Sequence, residues 1–165
     1  MQEETAELVR ILRRQHELLQ AAVDNSKTKQ KAVIRGDIRV LENLTRCETA
    51  QVEELGRLEA ERMGCVRGLA QVMGIAKEDA NLETICDRLG VKERAPLETL
   101  RDQLKAVIAA QMQLNRINEK LIGLQLSQIG VMICSLTQSP ASTYTERGAV
   151  EGEPAKKKGV YDYSA

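Results

Sequence analysis

The chain has 165 residues and carries 24 basic and 24 acidic side chains, so its formal net charge is zero. This balance gives no reason to expect nucleic acid or an anionic membrane surface as a partner. The aromatic residues are three tyrosines, with no Phe and no Trp, so any core must be built from aliphatic side chains. Such a composition favours a thin helical bundle over a β-sandwich or a doubly wound sheet, and the length fits one domain.

Four cysteines are spread widely along the chain, at Cys47, Cys65, Cys86 and Cys134, without a CxxC or Cys/His cluster. The first residues are polar and acidic, and no apolar signal segment follows them. We therefore predict reduced, mostly buried thiols and a cytoplasmic location.

The spacing of apolar residues predicts two long helices in the first half of the chain, over 3–34 and 37–73. Gly36 separates them, and Asp37 can cap the second helix. The second helix carries a heptad seam that needs a partner helix and that includes several polar residues. Gly64 and Gly68 form a GxxxG pair, which we interpret as a packing contact. The seam comprises Leu41, Leu44, Glu48, Gln51, Leu55, Leu58, Arg62, Cys65, Leu69 and Val72.

A connector with a short helix over 82–89, capped by Asn81, leads to a last helix over 96–136. Pro96 stands where proline is favoured in a first turn. Short connections between three long helices predict an all-α, antiparallel up-down-up bundle over residues 1–136, with coiled-coil-like packing. Residues 137–165 contain too few apolar side chains to offset the entropy of ordering them, so we predict a disordered tail.

Catalytic and metal-binding patterns are missing from the sequence. His16 is the one histidine, and its charged neighbours favour a solvated surface position. There is no ExxH pair, HExxH, GxSxG, GxGxxG or P-loop. We predict that the chain is not an enzyme and binds no metal or cofactor.

The end of the last helix departs from an ordinary bundle because no charged residue occurs between Lys120 and Glu146. The segment from Leu121 to Leu136 is too short, and too often interrupted by Gln and Ser, to span a membrane, so we predict no membrane insertion.

On a helical wheel, one arc of about 140° continues the face that the helix turns to the bundle. Its members are Leu121, Ile122, Leu126, Ile129, Met132, Ile133 and Leu136. A second apolar line, Ile117, Leu124 and Val131, lies outside this arc. Either the connector or the first helix covers the second line, or the line is a docking surface for an amphipathic partner helix. Gly123 and Gly130, on a third side, indicate either close backbone packing or an adaptable helix end.

The last helix contains Leu114-Asn115-Arg116-Ile117-Asn118 in mid-course, and a Ser/Thr-rich piece leads from its apolar end to Thr143-Tyr144-Thr145-Glu146-Arg147-Gly148. Together with the two long helices and the connector before them, these features resemble the FlgN family of flagellar export chaperones. The order of parts is similar from about residue 3 to residue 148.

The resemblance implies a chaperone that binds the C-terminal segments of the hook-associated proteins FlgK and FlgL. It would keep these subunits from polymerising early and deliver them to the type III export apparatus. It places substrate binding on the end of the last helix and contact with the export gate on Tyr144. The implied substrate-binding residues are Leu121, Leu124, Ile129, Val131, Met132 and Leu136.

A structural coiled-coil scaffold, or a stalk component of the export apparatus, is the alternative. Such a protein would use the heptad seam to form a homodimer or a rod. Asn118 falls at a seam position of the last helix, where we expect it to fix the register of the bundle rather than to contact substrate.

Overall fold

The computed structural model describes residues 2–137, 143–144 and 150–151. Three long helices account for most of the described chain, and the predicted all-α bundle is confirmed. The helices are α1 (Gln2–Arg35), α2 (Ile38–Val72), α3 (Leu82–Arg88) and α4 (Val91–Thr137), with a 3-10 turn at Lys77–Asp79 before α3.

Both predicted helix caps are present. Gly36 adopts a positive φ of 67° between α1 and α2, which a glycine allows without strain. The Asp37 carboxylate then accepts a hydrogen bond from the Val40 amide at the start of α2. The Asn81 side chain accepts one from the Thr84 amide at 2.9 Å and begins α3.

The predicted start of the last helix is wrong. α4 begins at Val91, so Pro96 lies inside the helix rather than in its first turn. The Gly90 carbonyl accepts from the Glu93 and Arg94 amides and starts the helix five residues before the proline. Pro96 lacks one amide donor, and the Arg94–Glu98 ion pair supports the same turn.

The central helix is α1, because it packs against both α2 and α4 along their length, whereas α2 and α4 barely approach each other. Ion pairs between Arg14 and Glu54 and between Lys29 and Glu48 show that α1 and α2 are antiparallel. Ser26 of α1 is hydrogen-bonded to α4, which runs parallel to α1. The chain order is therefore up, down and up, as predicted.

Two apolar clusters lie in the half of the bundle next to α3. The larger cluster joins all four helices, and the smaller one joins α1 and α2 through Ile11, Leu18 and Leu58. The buried members of the larger cluster are Leu8, Leu12, Val66, Leu69, Ile85, Cys86, Leu97 and Leu100. Burial of these aliphatic side chains is the main force that holds the helices together.

The opposite half of the bundle combines buried apolar side chains with polar contacts between α1 and α2. Ala32, Val33 and Leu44 are buried there. Lys29 pairs with Glu48, and the Asn25 side chain donates to Gln51 at 3.2 Å. Two polar seam residues of α2 therefore meet polar partners on α1, and the four-helix apolar cluster is confined to the half next to α3.

Two expectations about α2 are wrong. Val72 is exposed rather than in the seam, while Val66 and Ala70 are buried because α3 packs against this end of α2. A Cβ atom added at Gly64 or Gly68 would meet nothing within 4 Å, so this pair makes no close helix contact.

Part of the predicted tail forms two short strands. β1 (Thr143–Tyr144) and β2 (Val150–Glu151) pair antiparallel, with Tyr144 opposite Val150. β1 lies alongside α4. The rest of the tail that we predict to be disordered lies outside the described residues.

Candidate protein-binding surface on the last helix

The end of α4 projects beyond the helices that support it. Nine residues follow Ser26 in α1, up to Arg35, but nineteen follow Asn118 in α4, up to Thr137. Because Asn118 and Ser26 are in contact and the helices run parallel, α4 extends about ten residues, or about 15 Å, past the end of α1. We call residues 121–136 the α4 end.

The residues predicted to bind substrate lie together on the α4 end, and most are exposed. Leu121 is half-buried where α4 leaves the bundle. The other five expose at least half of their accessible surface. They are Leu124 (64%), Ile129 (50%), Val131 (59%), Met132 (65%) and Leu136 (83%).

The arc that we expected to continue the bundle face is exposed after Leu121. Ile122 and Leu126 still lie level with α1, but they face the groove that α2 and α4 leave open. The members of the arc from Ile129 onward are exposed because α1 has ended at about the level of residue 127, so its side chains cannot cover α4. The sequence shows the arc but not the offset between the two helices.

The second apolar line is also exposed, at Ile117, Leu124 and Val131. The interpretation that the connector or the first helix covers this line is therefore wrong. Since the line lies on the side of α4 away from Ile122 and Leu126, the α4 end is apolar on two nearly opposite sides. A helix with two apolar sides is typical of one that other elements enclose.

A polar layer anchors α4 just before it leaves the bundle. The Asn118 side-chain amide donates to the Ser26 main-chain carbonyl at 2.8 Å, and the Gln111 amide donates to the Ser26 hydroxyl at 2.9 Å. Asn118 is only 4% exposed and Ser26 only 1%. This contact favours the expected register role of Asn118, because its buried NH2 group meets the Ser26 carbonyl only in one alignment of the helices.

Gly123 does not provide a close backbone contact. A Cβ atom at this position would meet nothing within 4 Å. Of the two interpretations left open for the glycines, close packing is wrong at Gly123, and the glycine lowers the helix propensity at the exit from the bundle.

Charged groups lie on the body of the bundle and not on the α4 end. The Arg62 guanidinium donates hydrogen bonds to Glu59 and thereby lowers the pKa of that carboxyl. Burial raises the pKa of the Cys65 and Cys86 thiols, which disfavours the reactive thiolate form. None of these groups forms a catalytic arrangement, and no cluster of metal-ligating side chains occurs among the described residues.

A groove on the body of the bundle has no counterpart among the sequence predictions. It lies over α1 between α2 and α4, and Leu19, Val52 and Ile122 are among its lining residues. Val52 is 68% exposed, and it lies outside the heptad seam. This apolar residue outside the seam is the one sequence feature that could have indicated a groove. The groove itself forms because α2 and α4 are separated, and that separation is not visible in the sequence.

The structure places Tyr144 in β1, beside α4. Among the described helices, no stretch combines the length and the hydropathy that spanning a bilayer requires.

Comparison with known proteins shows the family to which this chain belongs. The family model described as FlgN protein matches residues 1–152, which include the whole bundle and both strands. The chain belongs to the FlgN family. It is thus a member of a family of flagellar chaperones, which interact with hook-associated proteins. No curated protein and no solved structure matches the chain.

Proposed function

We propose that this FlgN-family chain is a cytoplasmic type III export chaperone. It binds the C-terminal helices of the hook-associated proteins FlgK and FlgL, prevents their premature polymerisation and delivers them to the export apparatus. The exposed, charge-free α4 end is the observation that carries this proposal. An isolated chain gains no stability from exposed Leu124, Val131 and Leu136, whereas a partner that covers them does.

The chemistry of the partner follows from this surface. A helical segment with exposed apolar side chains can cover the α4 end in the helix-in-groove manner. Subunits that polymerise through terminal helices carry such segments and must be shielded before assembly. The proposed substrate contacts are Leu121, Leu124, Ile129, Val131, Met132 and Leu136. Tyr144, next to α4 in β1, is the proposed contact with the export gate.

The alternative role, a coiled-coil scaffold or stalk component, depends on a free heptad seam. Leu44, Leu58 and Leu69 of that seam are buried within the chain. Since α1 already covers the seam, self-assembly along it would require the bundle to open. The structure therefore favours the chaperone over the scaffold.

Isothermal titration of the full chain with the C-terminal segments of FlgK and FlgL tests the proposal. We expect saturable binding near 1:1 stoichiometry for at least one segment and little heat with an N-terminal segment of the same subunit. The absence of binding to both C-terminal segments would contradict the proposal. Sedimentation of the chain alone tests the scaffold: a mass that does not change with concentration argues against it.

A further inference from the structure

The groove between α2 and α4 runs along the body of the bundle. One stretch encloses about 690 Å³, and a second stretch towards α3 shares Leu19 and Leu55 with it. The groove therefore continues from α3 to the point where α4 leaves the bundle. Its apolar lining in the first stretch consists of Leu19, Ala22, Val52, Leu55, Ile122 and Leu126.

We propose that this groove holds one amphipathic helix of the cargo subunit, which lies between α2 and α4 and continues onto the Ile122–Leu126 side of the α4 end. This inference rests on the proposed function and goes beyond it, because it adds α1 and α2 to the binding surface and separates two cargo contacts on opposite sides of α4.

The packing of the helices supports a helical occupant. Both α2 and α4 pack on α1, but they barely approach each other, which leaves a trough along their common neighbour. A fourth helix seated there would contact α2 and α4 and complete a four-helix arrangement. Ile122 and Leu126 line the groove and also begin the α4 end, so one straight helix can cover both surfaces.

Buried polar atoms indicate what the occupant must carry. Gln111 and Asn118 both line the groove. Their side-chain oxygens, Gln111 Oε1 and Asn118 Oδ1, are buried and have no hydrogen-bond partner in the part of the chain that the structure describes. A buried acceptor without a donor costs free energy. A helix with a donor on its apolar face, such as a Gln, Asn, Arg or Lys side chain, would remove this cost once the Gln111 and Asn118 amides turn towards it.

Two unpaired charges add a second constraint. Within the described residues, neither Glu119 at one stretch of the groove nor Lys105 at the other takes part in an ion pair or hydrogen bond. They are fourteen residues apart on α4, or about 21 Å. An occupant with a basic residue near Glu119 and an acidic residue near Lys105 would complement both charges, which fixes its direction along the groove.

The substitution Val52→Arg tests the groove because it places a long, charged side chain in the trough at an exposed position. Val72→Arg is the matched control, since Val72 is on the same helix, is 59% exposed and lines neither stretch of the groove. The probes are the C-terminal segments of FlgK and FlgL, titrated into each full-length variant. Circular dichroism and the unfolding midpoint check that both variants retain the bundle.

We expect Val52→Arg to raise the Kd at least about tenfold and Val72→Arg to leave it within about twofold. If the unaltered chain and Val52→Arg bind equally well, the groove proposal is wrong but the proposed function stands. If the unaltered chain binds neither segment, both are wrong.

A photo-crosslinking amino acid provides a second measurement that does not depend on affinity. Placed at position 52 it should attach to the bound segment, and placed at position 72 it should not. Equal yields from both positions would contradict the groove proposal. A second copy of this chain is the other possible occupant. If light scattering shows a dimer that is lost in Val52→Arg while cargo affinity is unchanged, the groove is a self-association surface and the cargo proposal is wrong.

Discussion

The side-chain amide of Asn118 donates a 2.8 Å hydrogen bond to the main-chain carbonyl of Ser26, at a buried point where α4 meets α1. Asn115, one turn earlier, is exposed and accepts only from Gln111 on its own helix. We expect Asn118→Ala to lower the free energy of unfolding by about 1 kcal/mol more than Asn115→Ala. Both changes alter helix propensity equally, so the difference reports the interhelical bond. Urea unfolding measures it, and equal values would show that this bond does not stabilise the bundle.

The exposed line of α4 offers a direct test of substrate binding. Replacing Leu124 and Val131 together by Ser removes two apolar side chains that are 64% and 59% exposed. We expect the Kd for the FlgK or FlgL segment to rise about tenfold or more, while helix content stays near that of the unaltered chain. The double change Met63→Ser and Val72→Ser is a control for exposed apolar residues on another helix that line neither stretch of the groove. Unchanged affinity after the α4 substitutions would remove this line from the binding surface.

Gly123 allows the stability of the α4 end to be changed without adding a contact. A Cβ at this position meets nothing within 4 Å, so Gly123→Ala fits without a clash. We expect it to stabilise the local helix by about 0.5–1 kcal/mol and to slow amide exchange after residue 123. Exchange in α3 should stay the same. Faster exchange in the α4 end would mean that the glycine has a role that an alanine cannot fill.

The pH dependence of stability should depend in part on Glu59. Hydrogen bonds from Arg62 lower its pKa in the folded chain, so its stabilising contribution is present above the ordinary glutamate pKa. That contribution is lost as the pH falls through the lowered folded value. Glu59→Gln should therefore flatten the fall in unfolding midpoint on acidification, most clearly below about pH 4.5. Glu53→Gln, at an exposed position on the same helix, serves as the control for the loss of one carboxyl group.

Thiol labelling can check the burial of α3. Cys86 is 1% exposed and burial raises its pKa, whereas Cys47 is exposed. We expect iodoacetamide to modify Cys47 first and Cys86 last, with Cys86 reacting only as α3 detaches. Mass spectrometry of tryptic peptides gives the order of modification. Early labelling of Cys86 in native buffer would show that α3 opens readily.

The sequence predicts the structural features that a local pattern of residues determines. The caps at Asp37 and Asn81 and the long first helix are present because cap chemistry and the helical spacing of apolar residues specify them. The start of α4 was placed at Pro96, since proline favours a first turn, but Gly90 and Glu93 begin the helix earlier.

Features that depend on how far one helix extends past another, or on the distance between two helices, cannot be predicted from a local sequence pattern. The exposure of Ile129 and Met132 results from the earlier end of α1, and the groove beside Val52 results from the separation of α2 from α4. Neither distance is set by residues adjacent in the sequence. The candidate surface was therefore predicted as a set of residues but not as two sides of a projecting helix with a groove below it.

The unequal character of the two bundle halves has a consequence for release. Near α3 a cluster of buried aliphatic side chains joins all four helices, whereas near the α4 end the buried apolar residues are fewer and smaller, such as Ala32 and Val33. Pairs such as Lys29–Glu48 and Asn25–Gln51 add to them there, and their groups can exchange their partners for water. The end that we propose to hold cargo can thus loosen at lower cost than the end next to α3. Under the proposed function, such a chain would give up its subunit by a local opening and close again for the next one, without passing through the unfolded state.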